Sequence, residues 1–262
     1  MSRHRIHGSL STETALQAGR ILTRWRRDRA VLVGSLAFPI GLLILYDVVL
    51  GENVHRITGN ASVYGLVPVC AVLSGLFGSL GNAMSITMDR ESGMLSRMWT
   101  LPIHRASALT GRLTAEAVRA LIGTSLITTL GVIMGLRFNN GVAAALLFVL
   151  IPSIVAIAFA ALVMAFAVRT NARTIMILMV NVTVALAFVN PGFTPIGNFP
   201  EWFRPFVRAQ PMAPPIETMR SLALGGPLLW PLTMTLVWAV AILAVFVPLA
   251  VRGYRSAAEA GA

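Results

Sequence analysis

Six apolar runs, each close to the length that crosses a bilayer, divide residues 31–251 of this 262-residue chain. They fall at 31–50, 63–88, 113–136, 142–168, 174–189 and 228–251. A helix rising 1.5 Å per residue needs about 20 such residues to cross ~30 Å of hydrocarbon. The fifth run is therefore marginal, and the Pro-rich stretch after it is the only place to extend it. Inside lipid a segment must pair its own backbone groups, so runs of this length are helices. Charged residues make up 12% of the chain, about half the share in ordinary soluble domains. The expected fold is all-α integral membrane: one transmembrane domain over 1–262, with a cytoplasmic arm at 1–30, six spans within 31–251 and a cytoplasmic tail at 252–262. The arm lacks an apolar core followed by a cleavage site and is expected to be retained.

Arginine placement orients the spans. All 21 basic residues are Arg, a bias that suits a GC-rich bacterial genome. Seven lie in the N-terminal arm, and Arg90, Arg97, Arg105, Arg112 and Arg119 cluster around the second connection. With Arg169, Arg173, Arg252 and Arg255, sixteen fall on one side, against five on the other (Arg56, Arg137, Arg204, Arg208, Arg220). The positive-inside rule then puts both termini in the cytoplasm of a bacterial inner-membrane protein. The formal charge of +11 has its explanation here and does not call for nucleic acid. In the arm, Leu16, Gly19, Leu22 and Trp25 share one helical stripe and Arg20, Arg24 and Arg27 another. That pattern fits an amphipathic helix in the cytoplasmic interface or a plain topological anchor.

Several chemistries are excluded. Cys70 is the only cysteine, so an intramolecular disulfide or a cysteine metal cluster is impossible. Gly75, Gly78 and Gly81 lie inside a span, and a P-loop needs a Lys that is absent. His4, His7, His55 and His104 lie outside the spans. Asp47 sits near the outer end of the first span, and Glu116 and Arg119 near the inner end of the third. With no charge at a span centre, proton-coupled transport and intramembrane hydrolysis are disfavoured, and the halves show no inverted repeat. Ala71, Gly75, Ser79 and Ala83, flanked by Ser74 and Gly78, form a small-residue face in span two, echoed by Gly131 and Gly135. They are expected to pack helices within one subunit rather than to form a dimer seam.

Two polar segments remain. In "MDRESGMLSRMWTLPIHRASALTGRL", Asp89 can cap a short helix with Glu91 in its first turn. Met94, Leu95, Met98 and Leu101 make an apolar stripe, Arg90 and Arg97 project elsewhere, and Pro102 ends it. Such a helix suits a groove on another protein or a lipid surface. The second segment, residues 190–226, holds seven of the 14 prolines and no unbroken apolar run. It lies on the outer side, where broken backbone is tolerated if buried in protein or facing a watery cavity.

The first segment resembles the coupling-helix region of ABC-2 type permeases through Glu91, Gly93, Leu95, Leu101, Pro102 and Arg105. The second resembles the same family's block before its last span through Gly192, Pro195, Pro200, Trp202, Pro205, Phe206, Gln210, Pro211, Arg220, Gly225 and Gly226. "LTRWRRD", "GMLSRMWTLPIHRAS" and "RFNNG" are similar to daunorubicin-resistance-type permeases of actinobacteria, including mycobacterial members linked to lipid export. One departure is Gln210–Pro211, where the family often has Asn-Pro.

The resemblance implies an export permease for drugs or complex lipids, without an ATPase of its own. Cytoplasmic ATPase subunits would hold ATP and Mg²⁺, and a second permease, identical or sister, would complete the pore. Arg90, Glu91, Gly93, Met94, Leu95, Arg97, Met98, Leu101 and Pro102 would receive the push of ATP-driven closure. Pro195, Pro200, Trp202, Phe206, Pro211 and Arg220 would belong to a pair of short re-entrant helices that gate or plug the outer face. Asn181 and Thr183 of the fifth span are weak candidates for the substrate path, Asn181 being as well suited to bonding a neighbouring helix. A membrane scaffold and a secondary transporter are the competing readings.

Overall fold

The computed structural model describes residues 9–27, 29–91, 107–167 and 172–259. Nine α-helices follow one another among them: α1 (Leu10–Arg27), α2 (Arg29–Thr58), α3 (Val63–Glu91), α4 (Ser107–Ile133), α5 (Gly141–Ala167), α6 (Ala172–Phe188), α7 (Arg204–Ala209), α8 (Ala213–Leu224) and α9 (Leu229–Glu259). No strand occurs among the described residues. Five helices contain stretches long and apolar enough to cross a membrane: Ala37–Thr58, Val63–Gly81, Ser107–Ile133, Gly141–Ala167 and Leu229–Gly253. The apolar stretch of α6, Ile177–Phe188, is shorter, as the sequence leads one to expect.

Helix α3 is the axis of the bundle. Its apolar stretch is 83% buried, against 17% in α9 and 22% in α2, which therefore carry the outward-facing surface. It touches α2, α4, α5, α6 and α8. Small residues permit this crowding. A Cβ on Gly75 would stand 3.0 Å from the Ala156 Cβ and 3.2 Å from the Pro152 carbonyl oxygen of α5, and one on Gly131 of α4 would meet Val67 at 2.7 Å. Gly75 and Gly131 thus make close contacts within one chain, whereas Gly135, in the turn after α4, has nothing within 4 Å.

The two ends of the bundle differ. At one end lie the connections after α2 and α4 and the segment between α6 and α9. The Asn139 backbone N–H donates to the Ala223 carbonyl at 3.1 Å. At the other end α1 docks on the start of α4: the Thr14 and Thr110 hydroxyls are 2.9 Å apart, and a Cβ on Gly111 would lie 2.5 Å from the Gln17 Cβ. Ala250 of α9 packs at this end with Leu80, Ile86, Leu109 and Ala167.

Two features add to what the sequence leads one to expect. Helix α1 meets α4 through Thr14, Gln17 and Ala18, while Leu16 of the expected stripe is 70% exposed and Gly19 has open space around it. The arm is docked on the bundle as well as amphipathic, because its small and hydroxylated face matches the glycine of α4. Helix α4 is described from Ser107, six residues before the expected 113. Arg112, just before that expected start, faces protein and is buried.

Candidate functional site

Helix α6 packs on α3 and α5, whereas α9 packs on α5 and α8. The wedge left between α6 and α9 is a cavity of about 180 Å³. Val182, Thr183 and Leu186 of α6 form one wall, Thr235, Trp238 and Ala239 of α9 the other, with Phe159 of α5 between them and Pro211 and Met212 as the roof. Of its hydroxyls, Thr235 donates to the Pro231 carbonyl at 2.8 Å and lies 3.3 Å from the Thr218 hydroxyl. The lining is otherwise apolar. Engineered apolar cavities of about 150 Å³ stay dry and accept benzene, and drug-sized pockets start at about 300 Å³. The wedge therefore holds one ring or a short alkyl segment, not a whole drug. Successive helical residues turn by about 100°, which separates the two residues singled out on α6. Thr183 is buried in the cavity wall. Asn181 points away from the bundle, exposed.

The roof belongs to a cap built from the Pro-rich segment. A turn at Asn190–Pro191–Gly192 starts it, with the Gly192 N–H donating to the Asn190 side-chain oxygen at 2.8 Å. Gly192 rests on Gly65 of α3 so closely that a Cβ on Gly65 would fall 2.0 Å from the Gly192 carbonyl oxygen. Arg220 of α8 donates to the Pro191 carbonyl at 3.2 Å, and the Gln210 amide donates to the Val189 carbonyl. Pro195 precedes a 3-10 turn at Ile196–Asn198, Pro205 opens α7, and Pro214 and Pro215 open α8. Each sits where a missing N–H costs little. Gly225, at φ 85°, caps α8 in the left-handed region, which favours glycine. The Pro200 carbonyl accepts from the Phe203 N–H at 2.9 Å. Trp202 is 80% exposed and Phe206 is also exposed, and Phe203 joins them with ring centroids 5.2 and 5.3 Å away. Burial pushes the Glu217 carboxyl above its usual range, against the pull of Arg208 and Arg220.

A third feature lies across the seam of α3, α4 and α5. The Arg119 Nε donates to Glu116 Oε2 at 3.1 Å and its Nη2 to Glu116 Oε1. Nη2 also reaches the Gly75 carbonyl at 3.1 Å and Nη1 that of Ser74 at 3.4 Å. The Ser79 hydroxyl stands 2.8 Å from Glu116 Oε1, 2.9 Å from the Gly75 carbonyl and 3.1 Å from the Ala156 carbonyl of α5. All three side chains are buried. Gly78 makes room: its Cβ would sit 1.7 Å from the guanidinium. Arg119 is the thirteenth of 27 residues of α4. The pair expected near the inner end of the third span therefore lies near the middle of α4. The available signal was an acid and an Arg three residues apart, opposite Gly78 and Ser79.

A family model described as "ABC-2 type transporter" matches residues 14–224. The chain belongs to the ABC-2 type transporter family. It is 38% identical over 247 residues to a protein of Mycobacterium tuberculosis (strain H37Rv) named "Probable doxorubicin resistance ABC transporter permease protein DrrC", covering 94% of this chain and 89% of that one. It is 26% identical to the "Daunorubicin resistance ABC transporter permease protein DrrB1" of Streptomyces coeruleorubidus, over 86% of this chain and 80% of that one. It is also 23% identical to the "Putative transport permease ycf38" of Pyropia yezoensis, over 82% and 75%. The chain is thus a multi-pass membrane protein and the permease subunit of an ABC exporter, the kind of subunit that works with ATPase partners.

In this ABC-2 permease the expected site residues are distributed unevenly. Pro211 reaches the cavity and Arg220 ties α8 to the Asn190 turn, while Trp202 and Phe206 face outward. Gly93, Met94, Leu95, Arg97, Met98, Leu101, Pro102 and Arg105 lie outside the described residues. Arg90 and Glu91 end α3, described by backbone alone. Gly65, Asn190 and Met212, which shape the cap, were not anticipated. The Asn-Pro-Gly turn signal marks Asn190, whereas nothing local marks Gly65.

Proposed function

We propose that this permease forms half of an exporter that moves amphipathic drugs or lipids from the inner leaflet or cytoplasm to the outer face. In this reading α6 is a sixth, short crossing and both termini are cytoplasmic. ATPase subunits carrying ATP and Mg²⁺ bind the 92–106 connection through Met94, Leu95, Met98 and Leu101, with Arg90, Glu91 and Arg97 at the rim and Gly93 and Pro102 bounding the helix. Closure of those subunits tilts the helices, and the cap over Pro195, Pro200, Trp202, Phe206, Pro211 and Arg220 yields outward. A second permease, identical or sister, covers the outer face of α6. Asn181 supports this part: an amide on an exposed apolar helix gains about 0.6–2 kcal/mol from a partner across a helix pair.

The observation that carries the transport reading is the apolar wedge between α6 and α9, roofed by the cap and sized for the apolar end of an amphiphile. The relatives' names make doxorubicin the natural probe. Ala239→Trp fills the wedge without adding charge. Cells carrying the permease and its ATPase should lose doxorubicin efflux with this variant at unchanged membrane level. Efflux at the wild-type rate would remove the wedge from the path.

A further inference from the structure

We propose that Glu116, Arg119 and Ser79 form the strut that keeps α3, α4 and α5 in register as they carry displacement outward, which makes them positioning residues for transport. Helix α3 is the most enclosed helix of the bundle and leads at its inner end into residues 92–106. That connection joins α3 to α4, so a force on it acts on both helices, and they carry it outward together only while their register holds. Small residues such as Gly75 and Gly131 let helices slide, because dispersion contacts carry little directionality. The strut does not slide. Arg119 holds two consecutive carbonyls of α3, Ser74 and Gly75, while Glu116 faces the Ser79 hydroxyl. An axial shift of one residue, about 1.5 Å, breaks that match. The same hydroxyl is within 3.1 Å of the Ala156 carbonyl, so α5 is tied to the knot.

Stability alone does not require these charges. Replacing a buried ion pair by apolar residues of similar volume is often neutral or stabilising, whereas removing one partner is strongly destabilising. Charge inside a membrane helix is expensive and marks function by default. Outward of the strut, the buried hydroxyls of Ser74, Thr124 and Thr128 have no partners among the described residues. The directional bonds on that side of the α3–α4 seam are therefore gathered at the strut, which sets the register of the two helices. Gly78 belongs to the device as the only residue type that clears the guanidinium.

The strut rests on the reading that force enters at 92–106, and the experiment separates the two. In a Cys70→Ser background, spin labels are placed at the exposed outer positions Ile57 and Trp202 in the permease–ATPase complex in nanodiscs. Their distance is measured with and without ATP–vanadate. The wild-type distance should shift on trapping. Glu116→Met/Arg119→Met should bind the ATPase and trap nucleotide at wild-type levels with the outer shift abolished. Arg119→Lys should keep part of it, and Ser79→Ala, which leaves the ion pair intact, should at least halve it. A wild-type shift in the double-Met variant overturns the strut, as does the absence of any shift in the wild type. If the double variant does not fold, an undiminished shift in Ser79→Ala overturns it. ATPase binding undiminished by Leu95→Ala/Met98→Ala would refute the proposed ATPase contact and leave the strut result standing.

Discussion

Gly65→Ala tests whether the cap is seated on α3 as described. The new Cβ would lie 2.0 Å from the Gly192 carbonyl oxygen, and carbon–oxygen contacts settle at about 3.3 Å or beyond. The turn at 190–192 must therefore retreat by about 1.3 Å. No flexible side chain can absorb this, because the atom met is backbone. The retreat strains the Arg220–Pro191 bond and the Asn190–Gly192 bond. Overpacking costs about 1–3 kcal/mol and each lost bond about 0.5–1.5 kcal/mol, so with both bonds lost the sum lies at about 2–6 kcal/mol. At about 2–4 °C per kcal/mol for a chain of this size, the melting point should fall by roughly 4–24 °C. Thermal size-exclusion in detergent reads this directly. Gly192→Ala should cost less, since its Cβ meets a Val69 methyl at 2.2 Å that can rotate aside and the Gly65 carbonyl at 2.8 Å. Gly19→Ala in α1, with open space around it, should be neutral or gain up to about 1 kcal/mol. A Gly65→Ala protein melting with the wild type would show that the cap does not rest on α3.

Leu95→Ala with Met98→Ala should weaken ATPase association in a pull-down, since buried apolar anchors are commonly worth ~2 kcal/mol or more, while Arg97→Ala alone should do less. Reporter fusions after Ala262 and within residues 197–201 should report opposite sides of the membrane; agreement between them would refute the orientation. Asn181→Leu should weaken permease–permease cross-linking while leaving monomer stability unchanged, and equal cross-linking would take Asn181 out of the seam. Glu217→Gln should raise stability at pH 8 but not at pH 4. A carboxyl whose folded pKa is raised contributes stability below its unfolded pKa and loses it as pH rises through the folded one. A gain independent of pH would contradict that assignment.

The main spans could be found by reading the chain because a bilayer imposes one solution on a 20-residue apolar run. The Pro-rich break was equally visible, since closely spaced prolines break helices and force turns. What escaped was whatever depends on the neighbour across a seam. Leu16 and Gly19 share a stripe with Trp25 on paper, yet Thr14, Gln17 and Ala18 do the docking because Gly111 of α4 lies opposite them. Asn181 and Thr183 are two residues apart in sequence and on different sides of α6. No periodicity in α6 tells which side the α9 wedge will take.

Glu116 and Arg119 show why hydropathy misjudges such positions. A hydropathy scale treats each side chain as though it met lipid, so it says nothing of what a buried pair meets. Opposite Gly78 and Ser79, however, the pair meets two carbonyls and a hydroxyl and exposes almost nothing. The penalty for an intramembrane charge applies to the uncompensated ion, and compensation here comes from α3, forty residues away in sequence. Apolar packing could hold α3 and α4 together as firmly. A contact that fixes their register to within one residue needs directional bonds, and that requirement gives the buried pair its reason to be there.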